Sequence, residues 1–357
     1  MIQHFRHKLL AVAILILTAT SFAQAEGEAH KEEKFDIGGM IMHHISDAHE
    51  WEFAHGLAIP LPVIIYTADR GVEIMSSSHF YHSPVDGHKD TYKHGDYVLE
   101  HEHIHRVAAN GEKDEAVKVW DFSITKNVAS MLLSAVLLFV IFMSVAKGYA
   151  TNKGKAPKGI QSFLEPIIVY IRDEVVKPSI GPDYQKYLPY MLTLFFFIWI
   201  NNLLGLLPGG ANLTGNIAIT LVLAVITFFV VHANANKHYF MHLVKPTGVP
   251  LAILPLIIPV EIVGVFMKPF SLMLRLFANI TAGHIIILSL LGLIFIAKAS
   301  SGAGMGVAVS PLIVAFSLFM NLIELLVAFL QAFIFTLLSS MYIGSAIENN
   351  HDADHGH

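Results

Sequence analysis

Between Tyr187 and Asn236, fifty consecutive residues carry no charged side chain. A water-soluble domain rarely contains such a run, because roughly a quarter of the residues of an ordinary globular protein are charged. The whole chain of 357 residues is only 14% charged and 54% hydrophobic. Long uncharged segments are typical of membrane-spanning helices, since each span needs about 20 apolar residues. The sequence therefore excludes an ordinary soluble enzyme and predicts an all-α integral membrane protein.

The charged residues are concentrated in the amino-terminal part of the chain. Residues 26–120 contain 26 charged residues, of which 18 are acidic, whereas residues 187–347 contain seven. The net charge of −5 and the lack of a dominant basic patch exclude a nucleic-acid-binding chain. The chain has no cysteine, which excludes disulfides and thiolate metal sites. This distribution predicts a water-facing region at 26–120 and a membrane domain at 121–357.

The first 25 residues have the layout of a secretory signal peptide. Basic residues precede an apolar run from Leu9 to Leu17, and small residues follow as far as Ala25. A retained first membrane helix is the alternative, but the run is short for a bilayer core of about 30 Å. We therefore expect cleavage after Ala25. Under either interpretation, residues 26–120 lie outside the cytoplasm, which in a bacterium means the periplasm.

Five apolar segments are candidates for membrane spans. The first is followed by lysines and arginines between Lys147 and Lys177, which the positive-inside rule assigns to the cytoplasm. Proline and glycine at 208–210 divide the uncharged run into a helical hairpin. The last two segments exceed a perpendicular span, so we expect helices that tilt or, in the first of them, break at prolines. The predicted spans are 128–146, 188–206, 213–232, 250–297 and 308–347.

A shorter segment at 161–177 carries too many charges to span the membrane. Its apolar residues recur at helical spacing, whereas Arg172, Asp173 and Glu174 are expected to face water. We expect an amphipathic helix on the cytoplasmic membrane surface. Five spans in addition to this helix leave the carboxyl terminus in the cytoplasm.

Arg275 is the most unusual charge within the predicted spans. An ionisable residue there costs about 3 kcal/mol on insertion scales and is usually functional. Arg275 lies far from either end of its segment, so its side chain reaches the membrane surface only if the helix tilts strongly. Small and polar residues, including Asn279, share its side of the helix. Glu261 falls near that side in an unbroken helix, and we expect this side to contact another protein.

A second polar set is centred on His284 and Glu324. His284 lies nine residues after Arg275 and faces the opposite side of the same helix. Glu324 belongs to a stripe of small and polar residues that includes Gln331. These positions predict that His284 and Glu324 form a pair. Histidine titrates near neutral pH, and burial can raise a carboxyl pKa toward it, so a proton relay is favoured over a structural ion pair.

These segments resemble a known family. The runs SLMLRLFANITAGH, LLVAFLQAFIFTLL and FIWINNLLGLLPGGANLTGNIAIT are similar to subunit a of F-type ATP synthases, the membrane stator of the proton turbine. The resemblance covers roughly residues 120–347. It implies a non-catalytic subunit that offers two half-channels to a rotating ring of c subunits. The b-subunit stalk and, indirectly, the catalytic head are further implied partners.

The resemblance also implies roles for individual residues. Arg275 matches the family's essential arginine, which faces the ring carboxylates. Asn279 and Gln331 match polar residues near that arginine. His284 and Glu324 match two channel positions that carry the acid and the imidazole in reverse order in many bacterial members. The resemblance therefore implies that these five residues serve proton translocation.

Glu261 matches a glutamate that precedes the arginine helix in the family, and we expect it in the periplasmic half-channel with His284 and Glu324. The chain contains no phosphate-binding glycine motif, so we expect it to bind no cofactor. We expect ATP chemistry to take place on partner chains. A stand-alone cation channel or secondary transporter is the main alternative, but it predicts inverted repeats, which the sequence lacks. A membrane hydrolase would need a serine elbow or a zinc motif. The expected location is a bacterial inner membrane.

The amino-terminal region is rich in histidine, with 14 of the 21 histidines before residue 110. His101, His103 and His105 alternate, so on a strand they point the same way and are weak candidates for metal ligands. A solvated polar segment with incidental affinity is the favoured alternative, and no metal is assigned. A pH-responsive or proton-collecting surface is a further hypothesis. In the transporter alternative, the histidine-rich region would collect metal ions.

Overall fold

The computed structural model describes residues 37–54, 57–81, 83, 85, 91–108, 113–114, 116–151, 156–207, 209–245, 250 and 253–347. Long apolar helices dominate the part that follows residue 126, which confirms an all-α integral membrane protein. The described chain has four helices that are long and apolar enough to cross a membrane, or five if one bent pair counts as a span. The expected signal peptide at 1–25 lies outside the described residues.

The amino-terminal region contains short strands as well as helices. Its elements are α1 (Ile37–Ile45), β1 (Glu50–Ala54), β2 (Leu57–Pro60), β3 (Pro62–Thr67), β4 (Gly71–Ser76), α2 (Ser78–Tyr81), β5 (Thr91–His94), β6 (Tyr97–Glu100), β7 (His103–Arg106) and β8 (Trp120–Asp121). They form three antiparallel sheets, with the strand orders β1–β2, β4–β3–β8 and β5–β6–β7. The second and third of these sheets share a small apolar core with α2, made of Val63, Ile65, Phe80, Tyr97, Leu99 and Ile104.

The turn between β6 and β7 is strained. It consists of His101 and Glu102, whose φ angles are 48° and 63°. Two-residue hairpin turns require such positive φ values and usually contain glycine or asparagine. A residue with a Cβ atom loses roughly 1–2 kcal/mol in this conformation. The surrounding contacts must therefore hold the turn in place, and those of Glu102 are described below.

The amino-terminal region is joined closely to the first membrane helix, α3 (Lys126–Thr151). Asp47 accepts hydrogen bonds from the backbone N–H of Asn127 at 2.9 Å and from the hydroxyl of Thr125 at 3.0 Å. The first N–H groups of a helix lack partners within the helix, and a carboxylate also interacts favourably with the helix dipole. Asp47 thus supplies the cap of α3 from a distant part of the sequence.

The remaining elements are helical. They are α4 (Ile160–Tyr170), α5 (Lys177–Ile180), α6 (Tyr184–Gly205), α7 (Ile217–Ala233), α8 (Lys237–Val244), α9 (Leu254–Ser301) and α10 (Ala303–Ile347). Helices α7 and α8 are bent by 102° relative to each other at a short break. Helix α9 continues through Pro259 and Pro269, so it is long and unbroken. Neighbouring helices can satisfy the backbone groups that a proline leaves free.

The expected surface helix at 161–177 is joined to the span that follows it. Helix α4 passes into a π-helical turn at Ile171–Val176, and the helical run extends from Ile160 to Gly205. Ile171, Val175 and Val176 are buried, whereas Phe163 is 63% exposed. A π-helical turn contains one residue more than an α-helical turn, so the residues that follow it face a different side of the helix. Some apolar residues of this segment therefore pack in the protein core, and others are exposed on the outside of the chain.

Helices α9 and α10 form a tightly packed pair. Gly302 separates them, with a φ of 85° that favours glycine. The two helices pack on each other along their length, and α6 and α7 cover one side of the pair. The buried apolar residues shared by these four helices include Met191, Phe195, Leu272, Leu276 and Phe335. This packing determines which polar residues of α9 and α10 face inward and which remain uncovered.

Candidate functional site

His284 of α9 and Glu324 of α10 form a buried pair, as their helical positions predict. His284 Nδ1 lies 2.5 Å from Glu324 Oε1, and the two residues are 9% and 4% exposed. The adjacent Gly283 makes this approach possible. A Cβ atom at Gly283 would lie 2.8 Å from Glu324 Oε1, closer than non-bonded atoms allow. The glycine therefore keeps the two helices close at the position of the pair.

The second ring nitrogen of His284 restricts the protonation states of the pair. Nε2 lies 3.2 Å from the carbonyl oxygen of Gly205, at the end of α6. A carbonyl oxygen only accepts hydrogen bonds, so Nε2 carries a proton. The short contact between Nδ1 and Glu324 then needs one more proton, which either atom can hold. Transfer within the pair leaves its net charge at zero, and such a pair can pass a proton without creating an unpaired buried charge.

Polar side chains of α6 and the following loop make contacts about one helical turn from the pair, and the spacing of residues in the sequence did not predict them. Asn202 donates to the carbonyl oxygen of Ala328 at 3.0 Å and accepts from the hydroxyl of Thr214 at 2.6 Å. Thr281 lies one turn before His284 and donates to Gly215 O at 3.4 Å. The adjacent Asn201 and Asn202 in an uncharged apolar run were the available signal. These groups form a polar zone between the α6–α7 loop and the pair.

Arg275 and Asn279 lie on the uncovered side of α9. Both residues are exposed, and Arg275 forms no hydrogen bond or ion pair with another residue in the described part of the chain. The opposite side of the same turns is packed, since Leu272, Leu276 and Ile280 are buried. The guanidinium group is therefore a cation on an apolar helix, presented outward by this chain.

Gln331 and Glu261 lie in different surroundings. Gln331 is buried in α10, seven residues after Glu324 and about 10 Å further along the helix. Glu261 is half-buried near the start of α9, within electrostatic reach of Lys268 and Tyr239. It is 23 residues from His284, or about 34 Å along the helix. The structure therefore does not bring Glu261 to the His284–Glu324 pair.

A small cavity lies near Glu261, between α7, α8, α9 and α10. His232, Tyr239, Lys268 and Tyr342 contribute polar groups to its wall. His232 Nδ1 is 2.8 Å from the carbonyl oxygen of Phe228, and its buried Nε2 has no hydrogen-bond partner among the described residues. The amino group of Lys268 lies 5.2 Å from the Tyr342 ring centre. The cavity therefore places polar groups inside the protein near the end of α9 that carries Glu261.

A second buried histidine lies in the amino-terminal region. His49 is 1% exposed, with Nε2 at 2.9 Å from Asp121 and Nδ1 at 3.4 Å from Glu102. The Tyr81 hydroxyl donates to the same Glu102 oxygen at 3.0 Å. Burial by itself lowers the pKa of His49, but hydrogen bonds and charges from Asp121 and Glu102 raise it to about 9. His49 is therefore a buried cation at neutral pH, and its contact with Glu102 helps hold the strained turn.

The candidate metal ligands are not aligned as expected. His103 and His105 lie on β7 with ring centres 6.4 Å apart, but His101 lies in the β6–β7 turn. The expectation that all three share one strand is wrong, because the strand begins only after the turn. Within the described ranges, no group of three or more histidine, aspartate or glutamate side chains is arranged to hold a metal ion.

Two family profiles match this chain, and together they cover most of it. The profile of the ATP synthase A chain family matches residues 128–344, a range that contains Arg275, His284 and Glu324. A second profile, described as a domain of unknown function (DUF8433), matches residues 40–122. The boundary between the two matches falls where β8 leads into α3.

Individual relatives extend this comparison. The chain is 41% identical to ATP synthase subunit a of Chloroherpeton thalassium over 77% of this chain and 79% of the relative. It is 47% identical to ATP synthase subunit a 2 of Chlorobaculum tepidum over 67% of both chains. A match to ATP synthase subunit a 2 of Chlorobium luteolum, at 38% identity, covers 91% of this chain and 79% of the relative.

Proposed function

The chain belongs to the family of ATP synthase subunit a, the proton-translocating stator subunit of the membrane sector, and from this premise we propose which residues carry the proton. The proposal assigns proton translocation to Arg275, Asn279, His284, Glu324, Gln331 and Glu261. The observation that supports it most is the arrangement of α9. One side of this helix carries an uncovered arginine, and the other carries a buried imidazole–carboxylate pair. A stand-alone channel or transporter is not favoured.

The His284–Glu324 pair serves the half-channel that opens near the α6–α7 loop. Asn202, Thr214 and Thr281 offer hydrogen-bonding groups between that loop and the pair. A proton that reaches the pair can move between carboxylate and imidazole without changing the net charge of the site. The buried Gln331 extends the polar stripe of α10 beyond Glu324, toward the level of Arg275.

Arg275 acts as a fixed positive charge, because arginine keeps its proton under physiological conditions. A ring carboxyl that approaches the guanidinium group ionises more readily, since an opposite charge at short range lowers a carboxyl pKa by about 1–3 units. The ring carboxylate then passes Arg275 and takes up a proton from the other half-channel. It can next face lipid because it is neutral. The same cation prevents protons from passing directly between the half-channels.

Glu261 belongs to the opposite half-channel in this proposal. Arg275 lies between Glu261 and His284 along α9, so the two acidic sites are separated by the cation. The cavity lined by His232, Tyr239 and Lys268 supplies polar groups at the Glu261 end. This assignment differs from the sequence-based expectation of a shared periplasmic half-channel, because about 34 Å of helix separates Glu261 from the pair.

The orientation follows the distribution of charges. We assign the chain to a bacterial inner membrane, with a signal peptide at 1–25, a periplasmic region at 26–120 and a membrane domain at 121–357. The basic residues between Lys147 and Lys177 support a cytoplasmic position for that segment and for the carboxyl terminus. The proposed partners are the c-ring, with a carboxylate opposite Arg275, the b-subunit stalk and, indirectly, the catalytic head. ATP chemistry resides in those partners, and the chain is not itself catalytic.

Replacement of Arg275 tests this function. Each proton that moves across 100 mV releases about 2.3 kcal/mol, which is useful only if its path is coupled to the rotor. Arg275→Ala should abolish ATP-driven proton pumping in vesicles that contain the whole complex. Lys298→Ala, at the far end of the same helix, is the matched control and should pump normally. Coupled pumping by Arg275→Ala would refute the assignment.

A further inference from the structure

The outward face of the sheet β4–β3–β8 is apolar, although the surrounding region is rich in charge. The strand pairing places Ile64 beside Ile74, and Tyr66 beside both Val72 and Trp120. A backbone hydrogen bond places Phe122 beside Ile64. The exposure of Ile74 is 71%, that of Phe122 64% and that of Val72 63%. We call this surface the apolar sheet face, and its members are Ile64, Tyr66, Val72, Ile74, Trp120 and Phe122.

The charged residues of the same strands point to the other face. Glu73 accepts a hydrogen bond from the hydroxyl of Tyr97, and Asp121 contacts the buried His49. Val63 and Ile65 of β3 are buried on that inner side. An antiparallel sheet with one solvated face normally directs its polar residues outward. This sheet is instead apolar on its outward face as well as on its inner one, and a surface of this kind marks a site of contact rather than a face in water.

Short connections hold the sheet close to the membrane. Strand β8 ends at Asp121, and the membrane helix α3 begins five residues later. Asp47 caps the first turn of α3, as described above. Trp51 of β1 donates from Nε1 to the carbonyl oxygen of Gly209, in the α6–α7 loop, at 2.8 Å. The region therefore contacts the membrane domain at two separate places and has little freedom to move away from the bilayer.

We propose that the apolar sheet face lies in the headgroup region of the adjacent lipid leaflet. The apolar surface is continuous with the membrane, because Phe122 precedes α3 by four residues and the outer side of α3 exposes Leu132 and Val136. Tyrosine and tryptophan favour the membrane–water interface, and the face carries Tyr66 and Trp120. It therefore forms a surface anchor that holds the sheet β4–β3–β8 against the bilayer.

A lysine at the edge of the face fits the same environment. Lys118 is exposed, and its amino group lies 4.0 Å from the centre of the Trp120 ring. An ammonium group beside an interfacial aromatic ring can meet lipid phosphate while its aliphatic stem covers apolar surface. The proposal needs only that the chain spans a membrane, so it does not depend on the proton path.

Site-specific quenching tests this anchor in the intact complex. The chain has no cysteine, so Ile74→Cys and Val72→Cys each create a single labelling site in this chain for a fluorescent probe. Lys93→Cys, on β5, is an exposed control in the same region. The labelled complexes are reconstituted in vesicles that contain a lipid with a nitroxide near its headgroup. Iodide in the buffer is the aqueous quencher.

The anchor predicts opposite responses at the two kinds of site. The nitroxide lipid should quench probes at 74 and 72 severalfold more than the probe at 93, and iodide should quench them severalfold less. Equal quenching by iodide at all three sites would overturn the proposal, because the face would then be in water. Protection of 74 and 72 from both quenchers would also overturn it, since another protein segment would then cover the face.

Discussion

Two buried histidines of this chain each contact an acidic side chain, but their surroundings differ. His49, in the amino-terminal region, has a carboxylate near each ring nitrogen. His284, in the membrane domain, has one carboxylate and one backbone carbonyl oxygen. Two carboxylates keep the imidazole of His49 protonated at neutral pH, whereas one carboxylate and one carbonyl allow a proton to belong to either member of a neutral pair. The number of acids around a buried imidazole thus separates a structural cation from a proton relay.

The largest difference in proton flux should appear when one residue of each histidine site is replaced. Glu324→Gln removes the acid that exchanges a proton with His284, and it should lower passive proton flux through the membrane sector by about a hundredfold, the usual size of an acid–base contribution. His49→Gln should leave that flux unchanged. The measurement is the decay of an imposed pH gradient in vesicles. An equal loss of flux in both variants would remove the distinction between the two sites.

A reciprocal exchange sharpens the same comparison. The double variant His284→Glu/Glu324→His keeps one acid and one imidazole within the buried pair. It should recover a substantial part of the flux that Glu324→Gln loses, because the pair can again hold one shared proton. Gradient decay in the same vesicles measures the recovery. A double variant as inactive as Glu324→Gln would show that the order of the residues, rather than the pair itself, carries the function.

Removal of the imidazole at His49 should chiefly affect stability. His49→Ala leaves Glu102 and Asp121 close together without the cation between them, and a broken buried ion pair costs about 3 kcal/mol or more. Residues 40–122 should become sensitive to limited proteolysis in the full chain, while the membrane helices remain protected. Lys93→Ala is the control, because Lys93 is exposed on β5. Unchanged proteolysis of His49→Ala would contradict a structural role for this cation.

The pH dependence of this region follows from the same contacts. The pKa of His49 is raised from 6.5 to about 9, so its stabilising effect is complete below pH 6.5 and is lost as the pH rises through 9. Between pH 7 and pH 9 the stability of residues 40–122 should fall by about 2 kcal/mol. Denaturant titration followed by proteolysis measures this change. In His49→Gln the slope should disappear, and a slope that persists would have another origin.

The smallest expected effect concerns the contact between the two regions. Trp51→Phe removes the hydrogen bond from Nε1 to Gly209 O but keeps an aromatic ring beside Phe53. The loss should be about 1 kcal/mol, as for a typical single hydrogen bond. Hydrogen exchange at the amides of β1 and β2 should rise slightly, with no change at His284. A large effect on proton flux would mean that the regions are coupled more strongly than this contact suggests.

Part of the membrane site could be predicted from the sequence. The helical period places His284 opposite Arg275 on α9 and places Glu324 on a polar stripe of α10, and the predicted pair rests on these two positions. The carbonyl oxygen of Gly205 could not be predicted, because it comes from a different helix far away in the sequence. The distance of Glu261 from the pair could not be predicted from the sequence either. The spacing of residues shows on which side of a helix each residue lies. The distance between Glu261 and the pair follows only once α9 is known to be unbroken.

The amino-terminal region was less predictable. Its strands have only two to six residues, which is too short for a clear alternating pattern. His101 illustrates the problem, since it alternates with His103 and His105 in sequence but lies in a turn with positive φ. Burial of Glu102 against His49 stabilises that turn, and the two residues are 53 positions apart. No local signal in the sequence reveals such a contact.

The central claim is that the Arg275 side of α9 faces the rotating ring, and disulfide trapping tests it most directly. Asn279→Cys lies one turn from Arg275 on the uncovered side, in a chain without other cysteines. Leu133→Cys is a control of similar kind, because it is 45% exposed on α3, which packs against α4 and α6. Each is combined with a cysteine beside the ring carboxyl in the c subunit. We predict a disulfide-linked product with Asn279→Cys and none with Leu133→Cys. A product with Leu133→Cys alone would contradict the account.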